Sequence, residues 1–163
     1  MDIETFVQRY YLERILYAAN LRFQEMSGGQ FILRMYELDK AGEGKNHGLD
    51  LMVYSTVTGT EREVRTLSGG ESFMAALSLA LGMADQIQEN SAAVNLDMMF
   101  IDEGFGSLDD HSRGQAVKML HNMADSSKLI GIISHVTELK QEIEDQLVIT
   151  KDKEGSHHRW VIS

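Results

Sequence analysis

The chain contains neither cysteine nor proline among its 163 residues. The first absence excludes a disulfide framework and any thiolate metal site, and the second leaves helical stretches uninterrupted. No run of about 18 or more apolar residues occurs, so no segment reads as membrane-spanning and no membrane is expected as a partner. The opening residues, with Asp2 and Glu4 leading into a mixed polar and aromatic stretch, lack the pattern of a signal peptide, which gives a cytoplasmic expectation. Cations are scarce: 15 Lys and Arg stand against 25 Asp and Glu, a formal net charge of -10. That balance argues against wholesale wrapping of nucleic acid, because phosphate binding is driven by basic side chains displacing counterions. Arg62 and Arg65, like Lys151, Lys153 and Arg159, form only small clusters that suit solvated surface. What is present, 43% hydrophobic and 25% charged residues, fits one soluble domain or one lobe of a larger one.

Along the chain, Phe6, Tyr10, Ile15, Leu16, Ala19, Phe23 and Met26 predict one face of a long helix from about Ile3 to Met26, which Ser27-Gly28-Gly29 then stops. Two strands are expected next, Phe31 to Leu38 and Leu49 to Val57, joined by an exposed connector from Asp39 to Gly48. A turn at Thr58-Gly59-Thr60 precedes a helix from Glu71 to about Gln88, with Phe73, Leu77, Ala80, Leu81, Ala84 and Ile87 in register. Leu96 to Ile101 reads as a buried strand, Asp110 to Ala124 as a helix and Leu129 to Ile133 as a second strand. A short helix near Glu138 to Ile143 and a hairpin pairing Gln146 to Thr150 with His158 to Ile162 complete the pattern. Met98, Met99, Met119 and Met123 fall inside these elements and are expected to fill core. The alternation of strand and helix in the second half predicts an α/β fold with chemistry at the carboxyl ends of its strands.

Four short blocks sit at such ends. Met98-Met99-Phe100-Ile101-Asp102-Glu103 brings two adjacent carboxylates out of an apolar strand. A first carboxylate suits Mg²⁺, which prefers a few carboxylate and phosphate oxygens in an octahedron, and a second can orient or deprotonate an attacking water. The plainer alternative is that Asp102 caps the next segment and Glu103 is solvated. Leu67-Ser68-Gly69-Gly70-Glu71 opens a helix, so its glycines, free N–H groups and hydroxyl can cradle a phosphate. The same residues also spell a capping box, with Glu71 three positions after Ser68. Ser134-His135 follows a strand and can hydrogen-bond a γ-phosphate or serve as an ordinary polar loop. Gly106-Ser107-Leu108-Asp109-Asp110 opens a helix that Ser107 or Asp109 can cap. His157-His158 lies in an expected strand and is not read as a metal site.

In this order and spacing the four blocks resemble the signature motif, Walker B strand, D-loop and switch histidine of the C-terminal lobe of ABC-type ATPases. The likeness is closer to the bacterial SbcC family. It rests on Thr66-Leu67-Ser68-Gly69-Gly70-Glu71, on Asp102-Glu103-Gly104-Phe105-Gly106-Ser107-Leu108-Asp109 and on Ser134-His135-Val136. Arg9-Tyr10-Tyr11, Ala18-Ala19-Asn20 and Met26-Ser27-Gly28-Gly29 extend it through the opening segment. Gly104 stands where transporter ATPases usually carry proline, and Ser72 where SMC proteins usually carry lysine.

The resemblance implies a P-loop NTPase-like sheet flanked by helices, with residues 1–26 ending a coiled coil and residues 27–163 forming the lobe. It implies ATP and Mg²⁺ as ligands, Asp102 serving the metal, Glu103 positioning water and His135 stabilising the transferring phosphoryl group. Leu67, Ser68, Gly69, Gly70 and Glu71 would meet the nucleotide in trans, and Asp109 would communicate across a dimer. No Gly-x-x-x-x-Gly-Lys-Ser/Thr run occurs; Gly42-Glu43-Gly44-Lys45 lacks both its spacing and the hydroxyl residue. Partners implied are therefore an N-terminal Walker A lobe of the same protein and a second SbcC head, then an SbcD-like nuclease subunit and DNA in the full complex. The chain alone is expected to be inactive as an ATPase. A head of another SMC-like or recombination ATPase, or a non-catalytic dimerisation module, stands as the alternative.

Overall fold

The computed structural model describes residues 3–36, 49–90, 96–124 and 128–162; the connector expected at 39–48, with its Gly-Lys run, lies outside them. The first helix, α1, spans Ile3–Met26. Its inward stripe runs through Thr5, Leu16, Ala19, Phe23 and Met26, with Leu12 packed against the same core. Phe6 and Tyr10, expected on that stripe, are exposed instead. Each follows an inward-facing position by one residue or precedes it by two, and about 100° of rotation per residue turns it outward. The helix stops because Gly28 and Gly29 take left-handed φ values of 61° and 78°, letting the Gly29 N–H reach back to the Gln24 carbonyl at 2.7 Å.

Strands β1 (Phe31–Met35), β2 (Leu51–Ser55) and β3 (Glu61–Glu63) form an antiparallel sheet in that order, with Leu33 opposite Val53. Both strands anticipated here are shorter than expected, and Val57 lies beyond β2, exposed, because the chain has already turned through the Gly59 N–H to Ser55 carbonyl bond. Phe31, Leu33 and Val53 pack inward with Phe23 and Met26. Asn20 takes the place of a further strand beside β1: its Nδ2–H₂ donates to the Leu33 carbonyl at 2.8 Å, and its Oδ1 accepts the Leu33 N–H at 2.7 Å. Backbone groups at this edge are thereby satisfied by a helix side chain.

Helix α2 (Gly69–Asn90) buries Met74, Ala75, Leu77, Ser78, Leu81, Gly82, Ala84 and Gln86. Ala80 and Ile87, expected in register, face outward. A Cβ at Gly82 would stand 2.7 Å from the Ile15 carbonyl oxygen, so α1 and α2 meet backbone to backbone there. The second half forms a βαβ unit: β4 (Met98–Asp102) and β5 (Leu129–Ile133) pair in parallel, with α3 (Asp110–Ala124) as the crossover. Met99, Ile101, Ile130 and Ile132 turn toward the core, and Met119 is buried beside them in the same cluster. On the opposite face Met98, Phe100, Leu129 and Ile133 are 55–65% exposed. The strand expected to be buried is thus covered on one face only, and Met98 does not fill core; period-2 alternation puts it on the side that no described element covers.

Helix α4 (Leu139–Glu142) leads to the hairpin β6 (Gln146–Asp152) and β7 (Gly155–Val161), a separate two-stranded sheet. Among the described residues no helix is long and apolar enough to cross a membrane.

Candidate functional site

The parallel pairing of β4 and β5 aligns Asp102 with Ile133, so both chains leave the sheet at the same carboxyl end. Beyond it, the Glu103 N–H donates to the Ile133 carbonyl at 2.9 Å and carries the pairing one step further. Glu103 then takes a φ of 60° and Gly104 a φ of 98°. A non-glycine residue in left-handed backbone costs of order 1–3 kcal/mol, and such strain gathers at functional positions. Here the two residues swing the Glu103 side chain toward the end of β5. There His135 Nδ1 lies 2.9 Å from Glu103 Oε2 and 3.1 Å from Oε1. An ionised carboxylate only accepts, so in that pairing Nδ1 carries the proton and Nε2 remains for another partner. Both side chains are more than half exposed, at 81% for His135 and 53% for Glu103.

Asp102 ends β4 with its side chain exposed on the open face. Among the described residues no group of three or more His, Asp and Glu could hold a metal ion. A single exposed carboxylate beside Glu103 fits Mg²⁺ as that ion is bound with nucleotides, through one or two carboxylates plus phosphate oxygens and water.

The loop after Glu103 is pinned from below. Phe105 and Leu108 are buried, and the rings of Phe105 and Phe73 meet edge to face at 5.0 Å. A Cβ on Gly104 would run into the Phe73 ring. Gly106 lies against Val136, with 3.5 Å from the place of a Cβ to Val136 Cγ2, and Val136 is buried beneath it. These contacts hold the loop at 104–109 between the start of α2 and the His135 segment.

At the start of α2 the capping box is formed. The Ser68 N–H donates to Glu71 Oε2 at 2.7 Å, and the Glu71 N–H donates to Ser68 Oγ at 3.3 Å. Since Ser68 Oγ acts there as an acceptor, its own proton is still available. Capping and phosphate cradling are therefore compatible in one segment. Gly69 and Gly70 lie against Ser107: a Cβ on Gly70 would come within 2.8 Å of the Ser107 carbonyl oxygen. Leu67 differs from its neighbours, since its side chain is buried and anchors the segment from the core. Asp109 caps α3, accepting the Ser112 N–H and the Ser112 hydroxyl, each at 2.9 Å. Those bonds, the backbone one first, hold its pKa below the ordinary aspartate value.

All nine residues singled out from the sequence thus belong to three segments, at 67–71, 102–109 and 134–136, of which the middle one touches both others. A groove of about 620 Å³ between α1 and α2, bordered by Tyr17, Leu21, Asp85 and Glu89, is separate from them. The contacts of Arg62 with Glu71 and of Phe73 with Gly104 were not anticipated; the glycine at 104, two residues past the end of β4, is the one sequence feature that fits such a close approach.

Known proteins resemble this chain in sequence and in fold. A sequence family described as SbcC/RAD50-like, Walker B motif, matches residues 46–122. The chain is 45% identical over 161 residues to the SbcC subunit of the SbcCD nuclease from Vibrio cholerae, covering 99% of this chain and 16% of that protein. It is 47% identical over 147 residues to the SbcC subunit from Treponema pallidum, covering 90% of this chain and 14% of that protein. Among solved structures, one from work on ATP-driven dimerization and DNA stimulated activation of SMC ATPases superposes with a TM-score of 0.73 at 13% identity, covering 96% of this chain and 89% of that one. The Smc head domain with an extended coiled coil from Pyrococcus furiosus gives 0.66 at 17% identity, covering 93% and 35%. The fold is that of a lobe of an SMC-type ATPase head. The chain is homologous to the C-terminal, Walker B-bearing region of SbcC subunits, of which it spans about 16% of the length.

Proposed function

We propose that this chain is the C-terminal lobe of an ATP-hydrolysing SbcC-type head and completes its nucleotide site only together with an N-terminal, Walker A-bearing lobe. The observation that carries this reading is the contact of His135 with Glu103 at the carboxyl end of a parallel strand pair. Two loops that would face the outer phosphate of a nucleotide are already joined there. The open face of Met98, Phe100, Leu129 and Ile133 supports a missing lobe, since burying each such side chain fully is worth roughly 1.5–3 kcal/mol.

In this account the other lobe grips the nucleotide. Mg²⁺, when bound, supplies charge neutralisation between the phosphate oxygens, and Asp102 would hold it. Glu103 would orient the attacking water and accept its proton, and His135 would hydrogen-bond the transferring phosphoryl group. Ser68 and the Gly70 N–H, at the N-terminus of α2, would engage the γ-phosphate of a nucleotide held by a second head, with Leu67, Gly69 and Glu71 shaping that segment. Asp109, at the neighbouring loop, would report one site to the other across the dimer. Residues 1–26 would end a coiled coil. Ile3, Val7, Tyr10, Tyr17 and Leu21 are exposed at heptad spacing on the outer side of α1, as a paired helix requires. The nuclease chemistry would belong to an SbcD-like subunit acting on DNA in the cytoplasm.

Mixing this chain with a separately prepared N-terminal lobe tests the reading. ATP turnover should appear in the mixture and not with either part alone, and Phe100→Glu on the open sheet face should prevent the two from associating. Turnover by this chain alone, or association unaffected by Phe100→Glu, would contradict it.

A further inference from the structure

Arg62 lies outside all three loops, on β3, yet it reaches one of them. Its Nη1 donates to the Thr66 carbonyl at 2.8 Å, and its Nη2 lies 3.2 Å from Glu71 Oε2. That same oxygen accepts the Ser68 N–H at 2.7 Å. The guanidinium carbon also sits 5.8 Å from the centre of the Phe31 ring. One planar cation therefore closes the turn at 64–66, rests on β1 and holds the carboxylate that fixes the Ser68 backbone. At 36% and 24% side-chain exposure the two groups are only partly screened by solvent, so the pair orients more firmly than a fully exposed one. The fork of donors matters, because a guanidinium can serve a carbonyl and a carboxylate at once in fixed geometry.

We infer that Arg62 is a positioning residue for the segment at 67–71, setting where Ser68 and the Gly70 N–H stand when they meet a nucleotide on a second head. This rests on the reading that the segment acts in trans. Without Arg62 one half of the capping box survives, since Ser68 Oγ still accepts the Glu71 N–H, but the Glu71 carboxylate that accepts the Ser68 N–H loses its second tether and places the Ser68 backbone less firmly. Phe31 is buried with Phe23 and Met26 of α1, so Arg62 also ties the segment to the sheet on which the helix rests. An effect on placement rather than folding follows. A misplacement near 1 Å at a reacting phosphate is enough to cost a large factor in rate.

Full-length heads carrying Arg62→Met should lose about tenfold in kcat while melting at nearly the wild-type temperature. Arg62→Lys, which keeps the charge without the fork, should recover part of that loss. The decisive readout is complementation. A site formed in trans combines Glu103 of one head with the 67–71 segment of the other. Mixing Arg62→Met heads with Glu103→Gln heads therefore creates one site with both elements intact, and turnover should rise above that of either variant alone. Ser68→Glu heads, whose added carboxylate would face the phosphate, are mixed with Glu103→Gln heads in parallel. Recovery with Ser68→Glu but not with Arg62→Met would overturn the role of Arg62 and leave the trans reading standing. Recovery with neither would remove the trans reading and the proposal together, and wild-type turnover by Arg62→Met heads would also overturn the proposal.

Discussion

His135 Nδ1 and Glu103 Oε2 stand 2.9 Å apart although 32 residues of chain separate them. The parallel register of β4 and β5 accounts for the approach, with the left-handed backbone at Glu103 turning the carboxylate across to β5. If that carboxylate handles the attacking water, Glu103→Gln in assembled heads should lower kcat by about 10²- to 10³-fold. The neutral amide keeps the shape, so ATP-driven association of heads should persist. Steady-state turnover and size-exclusion chromatography with ATP measure both, and turnover retained in the variant would remove Glu103 from this role.

Gly104 is held by two constraints at once. Its φ of 98° is out of reach for proline, which is fixed near -65°, and a Cβ there would meet the Phe73 ring. Gly104→Ala should destabilise by about 1–3 kcal/mol, and Gly104→Pro by more. Adding Phe73→Leu to Gly104→Ala should return part of the loss by removing the ring, while the backbone strain remains. Urea unfolding of the three variants measures this; full tolerance of alanine would mean that the loop can re-form around it.

Asn20 serves two buried backbone groups of β1 from a neighbouring helix. Asn20→Ala leaves the Leu33 N–H and carbonyl without those bonds, each costing about 1–3 kcal/mol if water cannot replace them. The expected sign is a lowered urea midpoint with faster amide exchange at Leu33. Unchanged exchange there would show that another donor and acceptor take over.

Asp109 gives a pH-dependent expectation. The Ser112 backbone N–H, and then its hydroxyl, favour the ionised carboxylate and lower its pKa in the folded chain. A depressed folded value adds stability above the unfolded aspartate pKa, near 3.9, and that contribution fades as pH falls through the lower folded value. Wild type should therefore melt above Asp109→Ala at neutral pH, and the gap should narrow below about pH 4. A gap independent of pH would assign the cap to something other than the charge.

Much of this arrangement was readable from the residues, for reasons that differ by element. The bounds of α3, Asp110–Ala124, agree with the periodic pattern because Asp109 supplies a cap and no proline intervenes. Strand β3 was not legible, since Glu61-Arg62-Glu63 offers no alternating apolar residues and forms only by pairing with β2. The pattern of β4 and β5 showed apolar strands, but burial depends on what lies on each face, and period 2 cannot say that one face is left open. On α1 the helix itself was legible and the inward stripe only in part, because Phe6 and Tyr10 are as apolar as the buried residues and lie on the other side. The convergence of Ser68, Glu103 and His135 followed from resemblance to a family, not from local chemistry. Each of the three loops taken singly also had a plainer reading, as a cap, a turn or a solvated polar segment.

The account depends most on where the 67–71 segment stands when nucleotide is present. A structure of assembled Glu103→Gln heads with ATP measures it directly. Ser68 Oγ and the Gly70 N–H should lie within about 3 Å of γ-phosphate oxygens on a nucleotide gripped by the opposite head, with His135 at the same phosphate from its own side. Heads that close on ATP while Ser68 and Gly70 face solvent would contradict it.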